Sequence, residues 1–405
     1  MPRIRRVDVY RASGASMPHG VRASLPSMHP IHTNDLPAVG PRDYVRDDRA
    51  RVLRLQAGEP MEYLRNAWYV AAWSDELTHG KLIARTFLEE PLVLFRASDG
   101  TPAALFDRCP HRFAPLSRGR LKGDAIECGY HGLCFDRTGA CSNNPYNPGH
   151  VPPRARVASY PVLERQSIVW IWLGDPQKAD TSLVPDFPLL ADEANWHTVR
   201  GYLISPANYQ LAIDNLLDLT HPEFLHDGSL GSPAHKTAHY EVKQTGPREV
   251  HSNRWFDEGP IPPVIGRSFP TGGRPVTHWA DMCWHAPSAL WLDVGATFPG
   301  RPRAEGLQTY AAHFVTPETA RTTHYFFGFT RTAALARAEN NDAELVEMLR
   351  KIFTEEDSAM LSAVQDRMGG QDLWSLKPAA LPGDAGAVRV RQALEKLIAE
   401  ERATR

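Results

Sequence analysis

The sequence predicts a two-domain protein of the α+β class, in which a small all-β domain precedes a domain with an antiparallel sheet covered by helices. Three observations lead to this prediction. The chain has 405 residues, more than one compact domain usually holds. From residue 66 to about residue 175, short β-like runs alternate with turn signals such as Ser98-Asp99-Gly100. Farther along, long strand-like runs are followed by segments with a helical period.

The β-like runs of the first domain are bounded by Gly, Pro, Asn and Asp. They are Trp68–Trp73, Leu82–Phe87, Pro91–Arg96, Ala103–Phe106 and Ile168–Leu173. A Pro- and Asp-rich stretch after residue 173 marks the domain connection. We therefore predict a first domain over residues 61–175 and a second over 176–405. Residues 1–60 are rich in Arg and Pro without a lasting period, which predicts a disordered or loosely attached extension.

The second domain combines long strands with amphipathic helices. Its predicted strands are Thr198–Ile204, Val276–Trp284, Leu290–Thr297, Thr309–Thr316 and Thr322–Thr330. Its predicted helices are Asn208–Leu219, Ala343–Met368 and Val388–Arg402.

The composition excludes several classes of protein. With 42% hydrophobic residues and 23% charged residues, most of the chain is expected to fold. The net charge of −2 gives no large basic field, so we expect no binding to nucleic acid. No apolar run approaches the roughly 20 residues of a membrane span, and no secretory signal is visible, so a cytoplasmic protein without membrane contact is expected. The five cysteines suit a reducing compartment.

The sharpest motif is a pair of short Cys/His loops, Cys109-Pro110-His111 and Cys128-Gly129-Tyr130-His131. Two ligand sets fit these residues: a tetrahedral Cys2His2 zinc site, or a Rieske-type [2Fe–2S] cluster with two Cys on one iron and two His on the other. Structural zinc sites usually pair like residues within one loop. Here each loop carries one Cys and one His, which favours the cluster. The other cysteines, Cys134, Cys141 and Cys283, are interpreted as ordinary thiols.

A second metal site is indicated by His221 and His226. Five residues apart, they would point about 140° apart on an unbroken helix. Pro222 pushes the preceding residue out of helical geometry, so the two imidazoles can converge. Two His and one carboxylate with open positions form the facial triad of non-haem Fe(II) oxygenases. Asp218 precedes His221 by three residues, and its carboxylate can hydrogen-bond the far nitrogen of that imidazole.

The stretches CPHRFAPLSRGRL and CGYHGLCFDRTGAC closely resemble the cluster domain of Rieske non-haem iron oxygenases. The resemblance runs from about residue 64 to the C-terminus and is closest to the branch of vanillate O-demethylase, dicamba and toluenesulfonate-methyl monooxygenases. It implies a Rieske [2Fe–2S] domain followed by a helix-grip catalytic domain. It also implies two cofactors, one [2Fe–2S] cluster and one mononuclear Fe(II).

The resemblance further implies the roles of individual residues. Asp357, within the acidic run 354–357, would be the carboxylate ligand, with Glu355 and Glu356 on the outer face. His313 would contact the substrate. Asn215 would line the approach to the iron, although a capping or buried-amide role is an equal alternative. Asp218 would link the iron site to a Rieske histidine of a neighbouring subunit in a head-to-tail homotrimer.

A one-electron cluster and an open Fe(II) site together predict a terminal oxygenase that activates O2. No Gly-x-Gly-x-x-Gly follows a strand, so a separate reductase or ferredoxin is expected to supply the electrons. The resemblance implies a small aromatic acid as substrate, oxidised by O-demethylation or methyl hydroxylation. Ring dihydroxylation is the alternative chemistry. A ferredoxin-like electron carrier and a zinc-stabilised binding protein are the alternatives from other classes.

Overall fold

The computed structural model describes residues 61–226 and 228–404. The predicted extension over residues 1–60 therefore lies outside the described residues. An all-β domain is followed by a domain with one large antiparallel sheet and helices, so the predicted fold class is confirmed. No helix in the described part of the chain is long and apolar enough to span a bilayer.

Three small sheets build the first domain. Their orders are β1-β11-β10, β2-β3-β4-β9 and β5-β6-β7-β8, and all of the pairings are antiparallel. The strands are β1 (Trp68–Trp73), β2 (Ile83–Phe87), β3 (Glu90–Arg96), β4 (Pro102–Phe106), β5 (Arg120–Lys122), β6 (Ala125–Glu127), β7 (Cys134–Asp136), β8 (Cys141–Asn143), β9 (Ser159–Tyr160), β10 (Val162–Arg165) and β11 (Ile168–Trp172). The two Cys/His loops lie between β4 and β5 and between β6 and β7.

A seven-stranded antiparallel sheet forms the second domain, in the order β12-β18-β17-β16-β15-β14-β13. Its strands are β12 (Trp196–Ser205), β13 (His239–Gly246), β14 (Glu249–Gly259), β15 (Val276–His285), β16 (Ala289–Thr297), β17 (Leu307–Pro317) and β18 (Thr323–Thr332). The five strands predicted here all occur, with ends that differ by at most two residues. The sequence pattern did not predict β13 and β14, because runs of consecutive polar residues, at 243–245 and 251–254, interrupt the alternation expected of a strand.

Helices follow and interrupt the strands of this domain. They are α1 (Tyr209–Leu217), α2 (Pro222–Leu225), α3 (Pro263–Ser268), α4 (Ala333–Glu339), α5 (Asp342–Lys351), α6 (Ala359–Met368) and α7 (Ala385–Ala403). A π-helical segment, Ile352–Ser358, joins α5 to α6. The predicted helix Ala343–Met368 is therefore one helical run with a widened turn in its middle.

The two faces of the seven-stranded sheet pack against different partners. Successive side chains of a strand point to opposite faces. On one face, Met282 and Tyr325 pack with apolar residues of α1, α5 and α7 in the largest core. On the other face, Phe314 and Phe326 pack with Trp170 of the first domain. The sheet thus has one face toward the helices and one toward the all-β domain.

Candidate metal centres

Two loops with the same backbone hydrogen bonds carry the Cys/His motif. In each, the cysteine amide donates to the carbonyl five residues on, over 2.8 Å, and the cysteine carbonyl accepts from the amide four residues on, over 2.9 Å. The fourth residue after the cysteine is left-handed in both loops, with φ of 60° at Phe113 and 71° at Gly132. The loops 109–114 and 128–133 are thus matching turns, although their sequences differ.

The four side chains of these loops fit a two-metal cluster. Cys109 and Cys128 are buried, and the rings of His111 and His131 have centroids 4.5 Å apart. Burial, with a smaller effect from the adjacent Cys128, raises the pKa of the Cys109 thiol to about 11. No three of the four offer ligand atoms within 4.8 Å of one another, as a single zinc ion would need. The arrangement favours the [2Fe–2S] interpretation over zinc.

Three side chains converge at the second centre. His221 Nε2 lies 3.2 Å from His226 Nε2, and Asp357 Oδ1 lies 3.5 Å from the first nitrogen and 3.2 Å from the second. Ligand atoms about 2.1 Å from a metal and 90° apart are separated by about 3 Å. The three atoms therefore have the spacing of one face of an octahedron. The structure brings together the ligand set that was predicted for Fe(II).

A single helical turn separates the two histidines. Helix α1 ends at Leu217, and α2 begins at Pro222 with His221 as its N-cap residue. His226 is the C-cap of this single turn. The prediction that Pro222 pushes His221 out of helical geometry is wrong, because His221 has helical dihedrals, with φ of −59° and ψ of −31°. The backbone leaves the helix instead at Asp218, with ψ of 84°, and at His226, with φ of −111° and ψ of 38°, and the two imidazoles still converge across the single turn.

Hydrogen bonds fix the tautomers of both imidazoles. His221 Nδ1 donates to the backbone carbonyl of Asp218 over 2.7 Å. His226 Nδ1 donates to Glu356 Oε2 over 2.6 Å. With the proton held on Nδ1, each Nε2 presents its lone pair to the centre, which is the form that binds a metal.

The predicted role of the Asp218 carboxylate toward His221 is wrong. The carboxylate instead accepts from the amide and the hydroxyl of Thr220, over 3.1 and 2.7 Å. Asp218 is the C-cap of α1, with ψ of 84°, so the helical i, i+3 relation no longer holds there. Its carbonyl, freed at the end of the helix, takes the place of the carboxylate.

The predicted outer-face position of Glu356 is also wrong. Glu356 and Asp357 are adjacent in sequence, yet both contact His226. They lie in the π-helical segment, where hydrogen bonds between residues i and i+5 reduce the rotation per residue. Burial lowers the pKa of His226, but the hydrogen bonds and charges of Asp357 and Glu356 outweigh it, and the net shift of the pKa is upward. Glu355 is exposed, as predicted.

Asn215 and His313 both adjoin this centre. Asn215 Nδ2 donates to Asp357 Oδ1 over 3.1 Å, so the amide orients the carboxylate. His313 is buried, and its Nδ1 is hydrogen-bonded to the Tyr325 hydroxyl over 2.8 Å. Its Nε2 has no partner within the described residues. Burial lowers the pKa of His313 to about 4, so the ring is neutral at pH 7.

A cavity of about 140 Å³ lies beside the three convergent side chains. Most of its wall is apolar, with Leu216, Met282 and Phe353 among the lining residues. Asn215 and His313 also line it. The cavity can therefore hold an aromatic ring next to the metal centre.

Arg254, a lining residue that the sequence did not single out, is buried at 6% exposure. Its Nε and Nη2 have no hydrogen-bond partner among residues 61–226 and 228–404, and its guanidinium lies 4.4 Å from the centroid of the Tyr240 ring. Burial lowers the pKa of Arg254, while Asp218 and Tyr240 oppose the shift. The side chain is placed on β14, which the sequence analysis did not recognise as a strand.

Comparisons with known proteins agree with this geometry. The family model of the Rieske [2Fe–2S] domain matches residues 67–161, and that of the vanillate O-demethylase oxygenase C-terminal domain matches residues 205–400. The oxygenase component of chloroacetanilide N-alkylformylase from Rhizorhabdus wittichii is 39% identical, over 84% of this chain and 97% of its own length. The oxygenase component of dicamba O-demethylase from Stenotrophomonas maltophilia is 38% identical, over 83% of this chain and 98% of its own. A solved structure of dicamba monooxygenase with non-haem iron and dicamba is 37% identical, has a TM-score of 0.74, and is matched over 85% of this chain and 100% of its own.

Proposed function

The chain belongs to the Rieske non-haem iron oxygenases, on the branch of the vanillate and dicamba O-demethylase oxygenase components, and from this premise we propose that it oxidises a methoxy- or methyl-substituted aromatic acid. Its cofactors are a Rieske [2Fe–2S] cluster, which passes on single electrons, and a mononuclear iron, which activates O2. In this proposal the cluster is held by Cys109, His111, Cys128 and His131, and the iron by His221, His226 and Asp357.

The observation that carries the choice of substrate is the buried guanidinium of Arg254 in the largely apolar cavity beside the triad, since its Nε and Nη2 have no hydrogen-bond partner in the described part of the chain. Leaving a buried charged donor without a partner costs more than about 1–3 kcal/mol. A bound carboxylate would form charge-assisted hydrogen bonds with it. When Tyr325 donates to His313 Nδ1, His313 Nε2 carries the ring proton and can donate to a second oxygen of the substrate. An aromatic acid offers both the apolar ring and the anion that these side chains need.

The experiment is a turnover screen of methoxy- and methyl-substituted aromatic acids with a surrogate reductase. We expect a phenol from the methoxy compounds or a hydroxymethyl product from the methyl compounds. A neutral analogue, the primary amide of each acid, serves as the matched control and should be a poor substrate. If neither acids nor amides are oxidised at the substituent while a ring diol is formed, the chain has the dihydroxylating activity instead.

The electrons come from a separate reductase or ferredoxin in this proposal. The relatives are described as the oxygenase components of their enzymes, which supports a second component. His111 is exposed and His131 is partly exposed, so a donor protein has access to the edge of the cluster site. The test adds candidate donor proteins to the oxidised chain and monitors reduction of the cluster through the change in its visible absorbance.

We propose a homotrimer in which Asp218 links the iron site of one subunit to the cluster of the next. The link differs from the predicted one, because Asp218 contacts His221 through its carbonyl and not through its carboxylate. The Asp218 carbonyl accepts from His221 of its own chain, and both Thr220 hydrogen bonds go to Oδ1 of the carboxylate. In this proposal, Oδ2 accepts a hydrogen bond from the partner subunit's His131. Two inactive variants, His131→Ala and His221→Ala, should recover part of the activity when mixed trimers form. Mixed trimers without any activity would mean that electrons pass within one chain.

A further inference from the structure

A second group of potential ligands lies on the face of the seven-stranded sheet opposite to the iron centre. Strand β14 contributes Glu249 and His251, and strand β15 contributes Cys283 and His285. The register places His251 directly opposite Cys283 and Glu249 directly opposite His285. Met282 lines the cavity of the iron centre, so its neighbour Cys283 points to the other side.

Three residues of this group, Glu249, Cys283 and His285, each offer one ligand atom within 4.8 Å of the other two, which is close enough to share one ion. Cys283 Sγ lies 3.5 Å from His285 Nε2 and 3.8 Å from His251 Nε2. Glu249 Oε1 lies 2.9 Å from His251 Nε2, and Oε2 lies 3.6 Å from His285 Nδ1. Ligands at zinc distances of about 2.1 Å for nitrogen and 2.3 Å for sulfur, at tetrahedral angles, are about 3.3–3.6 Å apart. The 3.5 Å between Cys283 Sγ and His285 Nε2 lies in this range. His251, which is hydrogen-bonded to Glu249, lies beside the three-residue group.

We propose that Glu249, Cys283 and His285 form a binding site for a zinc-type divalent ion that is separate from both redox centres. One thiolate, one imidazole and one carboxylate are all ligands that Zn²⁺ takes in proteins, and solvent can complete the coordination. Cys283 was predicted to be an ordinary thiol because Glu249 lies far from it in sequence, on a strand that was not predicted, although His285 follows Cys283 by two residues. The proposal does not depend on the substrate or the reaction.

The surroundings suit an ion that enters from solvent. The side chains of Glu249, His251 and His285 retain 37%, 31% and 24% of their accessibility, and Cys283 is partly exposed. Thr245 donates a hydrogen bond to Glu249, which orients the carboxylate. The ring of His285 also meets Phe187 edge to face at 6.0 Å. A bound ion would therefore tie β14 to β15 beside the contact with the first domain, and would stabilise the fold by mass action.

The experiment adds Zn²⁺ to the iron-loaded full-length chain, removes free ion by gel filtration, and measures zinc and iron together by elemental analysis. We expect one additional zinc per chain with the iron content unchanged. Cys283→Ser and His285→Ala should each weaken zinc binding by more than about 100-fold, since even the loss of an outer-shell partner costs about 10–100-fold. Cys141→Ser, which changes a buried cysteine of the first domain, is the matched control and should keep the zinc.

A second measurement uses the unaltered chain and so does not depend on the folding of a variant. Zinc should slow alkylation of Cys283 by a small thiol reagent at least about tenfold, and a chelator should restore the original rate. The proposal is overturned if zinc enters only as iron leaves, if Cys283→Ser binds zinc as well as the unaltered chain, or if zinc leaves the alkylation rate of Cys283 unchanged.

Discussion

The Nδ1 of His226 lies 2.6 Å from a carboxylate oxygen of Glu356, while its Nε2 lies 3.2 Å from the carboxylate of the next residue, Asp357. Two adjacent residues thus contact the two nitrogens of one imidazole. A regular α-helix turns about 100° per residue and would direct one of them away. The π-helical segment Ile352–Ser358 makes the arrangement possible. This matches the observation that π segments inside α-helices are frequent at functional sites.

Replacing Glu356 with Gln should weaken iron binding by about 10–100-fold. The neutral amide of Gln is a weaker hydrogen-bond acceptor for the Nδ1–H of His226 than the carboxylate is, so it fixes the tautomer of this imidazole less firmly. The measurement is iron affinity in a chelator competition, with the cluster absorbance recorded in the same sample. The matched control is Glu355→Gln, at the exposed neighbouring carboxylate, which should bind iron normally. Equal affinities of the two variants would contradict the role of Glu356.

Replacing Cys128 with Ser should abolish the visible absorbance of the cluster and leave the mononuclear iron in place. The reason is that Cys128 supplies one of two buried thiolates in the proposed cluster site, whereas no atom of the iron triad belongs to that loop. Absorbance and iron content are measured together. Cys141→Ser controls for the loss of a buried thiol in the same domain. A Cys128→Ser variant that keeps its red-brown colour would show that the cluster is held elsewhere.

Replacing Arg254 with Gln should raise the KM for an aromatic acid by about 10–100-fold, which corresponds to the loss of one charged hydrogen-bonded pair of about 1.5–3 kcal/mol. The KM for the matching neutral amide should change little, because the amide cannot use the charge. Steady-state kinetics with both compounds test this. If both KM values rise equally, Arg254 supports the cavity wall and does not recognise the carboxylate.

His324 should make stability depend on pH below neutrality. Burial lowers its pKa to about 4, whereas an unfolded histidine titrates near about 6.5. Between these values the unfolded chain binds a proton that the folded chain does not, so this contribution is complete above about pH 6.5 and is lost as pH falls toward 4. One such group changes the free energy of unfolding by about 1.4 kcal/mol per pH unit within that window.

The test substitutes Gln for His324 and compares urea midpoints at several pH values within that window. Gln cannot titrate, yet it can still donate to the Thr86 carbonyl, which accepts from His324 over 2.7 Å. We expect a flatter dependence on pH in the variant. An unchanged slope would mean that other groups dominate acid unfolding.

Local sequence was enough to predict which candidate ligands of the short motifs come together. The spacing of the Cys/His loops and of His221 and His226 indicated their convergence, but the expected effect of Pro222 on His221 was wrong, because His221 keeps helical dihedrals. Strands such as Trp68–Trp73 match residue for residue, because the short buried runs end at clear turn signals. Asp357 required the resemblance to a family, since nothing local separates it from the neighbouring carboxylates.

The remaining features depend on geometry that single-sequence patterns do not contain. The π-helical turn that brings Glu356 to His226 has no distinctive composition. Asp218 acts through its carbonyl because α1 ends at Leu217, two residues before the predicted end at Leu219. Arg254 and the group of Glu249, Cys283 and His285 were missed for the same reason: residues 251–254 of β14 are all polar, which hides the strand pattern, and the register of β14 with β15 is set by the whole sheet.

The most direct test of the central claim, that this chain oxidises an aromatic acid at an iron fed by its own Rieske cluster, is a single-turnover reaction under ¹⁸O₂. The chain is reduced chemically beforehand, which removes the need for the natural reductase, and is given a methyl-substituted benzoate. We predict a hydroxymethyl product with one labelled oxygen, formed as the cluster is reoxidised, and no such product from Cys128→Ser or His221→Ala. Reoxidation of the cluster without any oxygenated product across the set of methyl- and methoxy-substituted acids, or a ring diol with two labelled oxygens, would contradict the account.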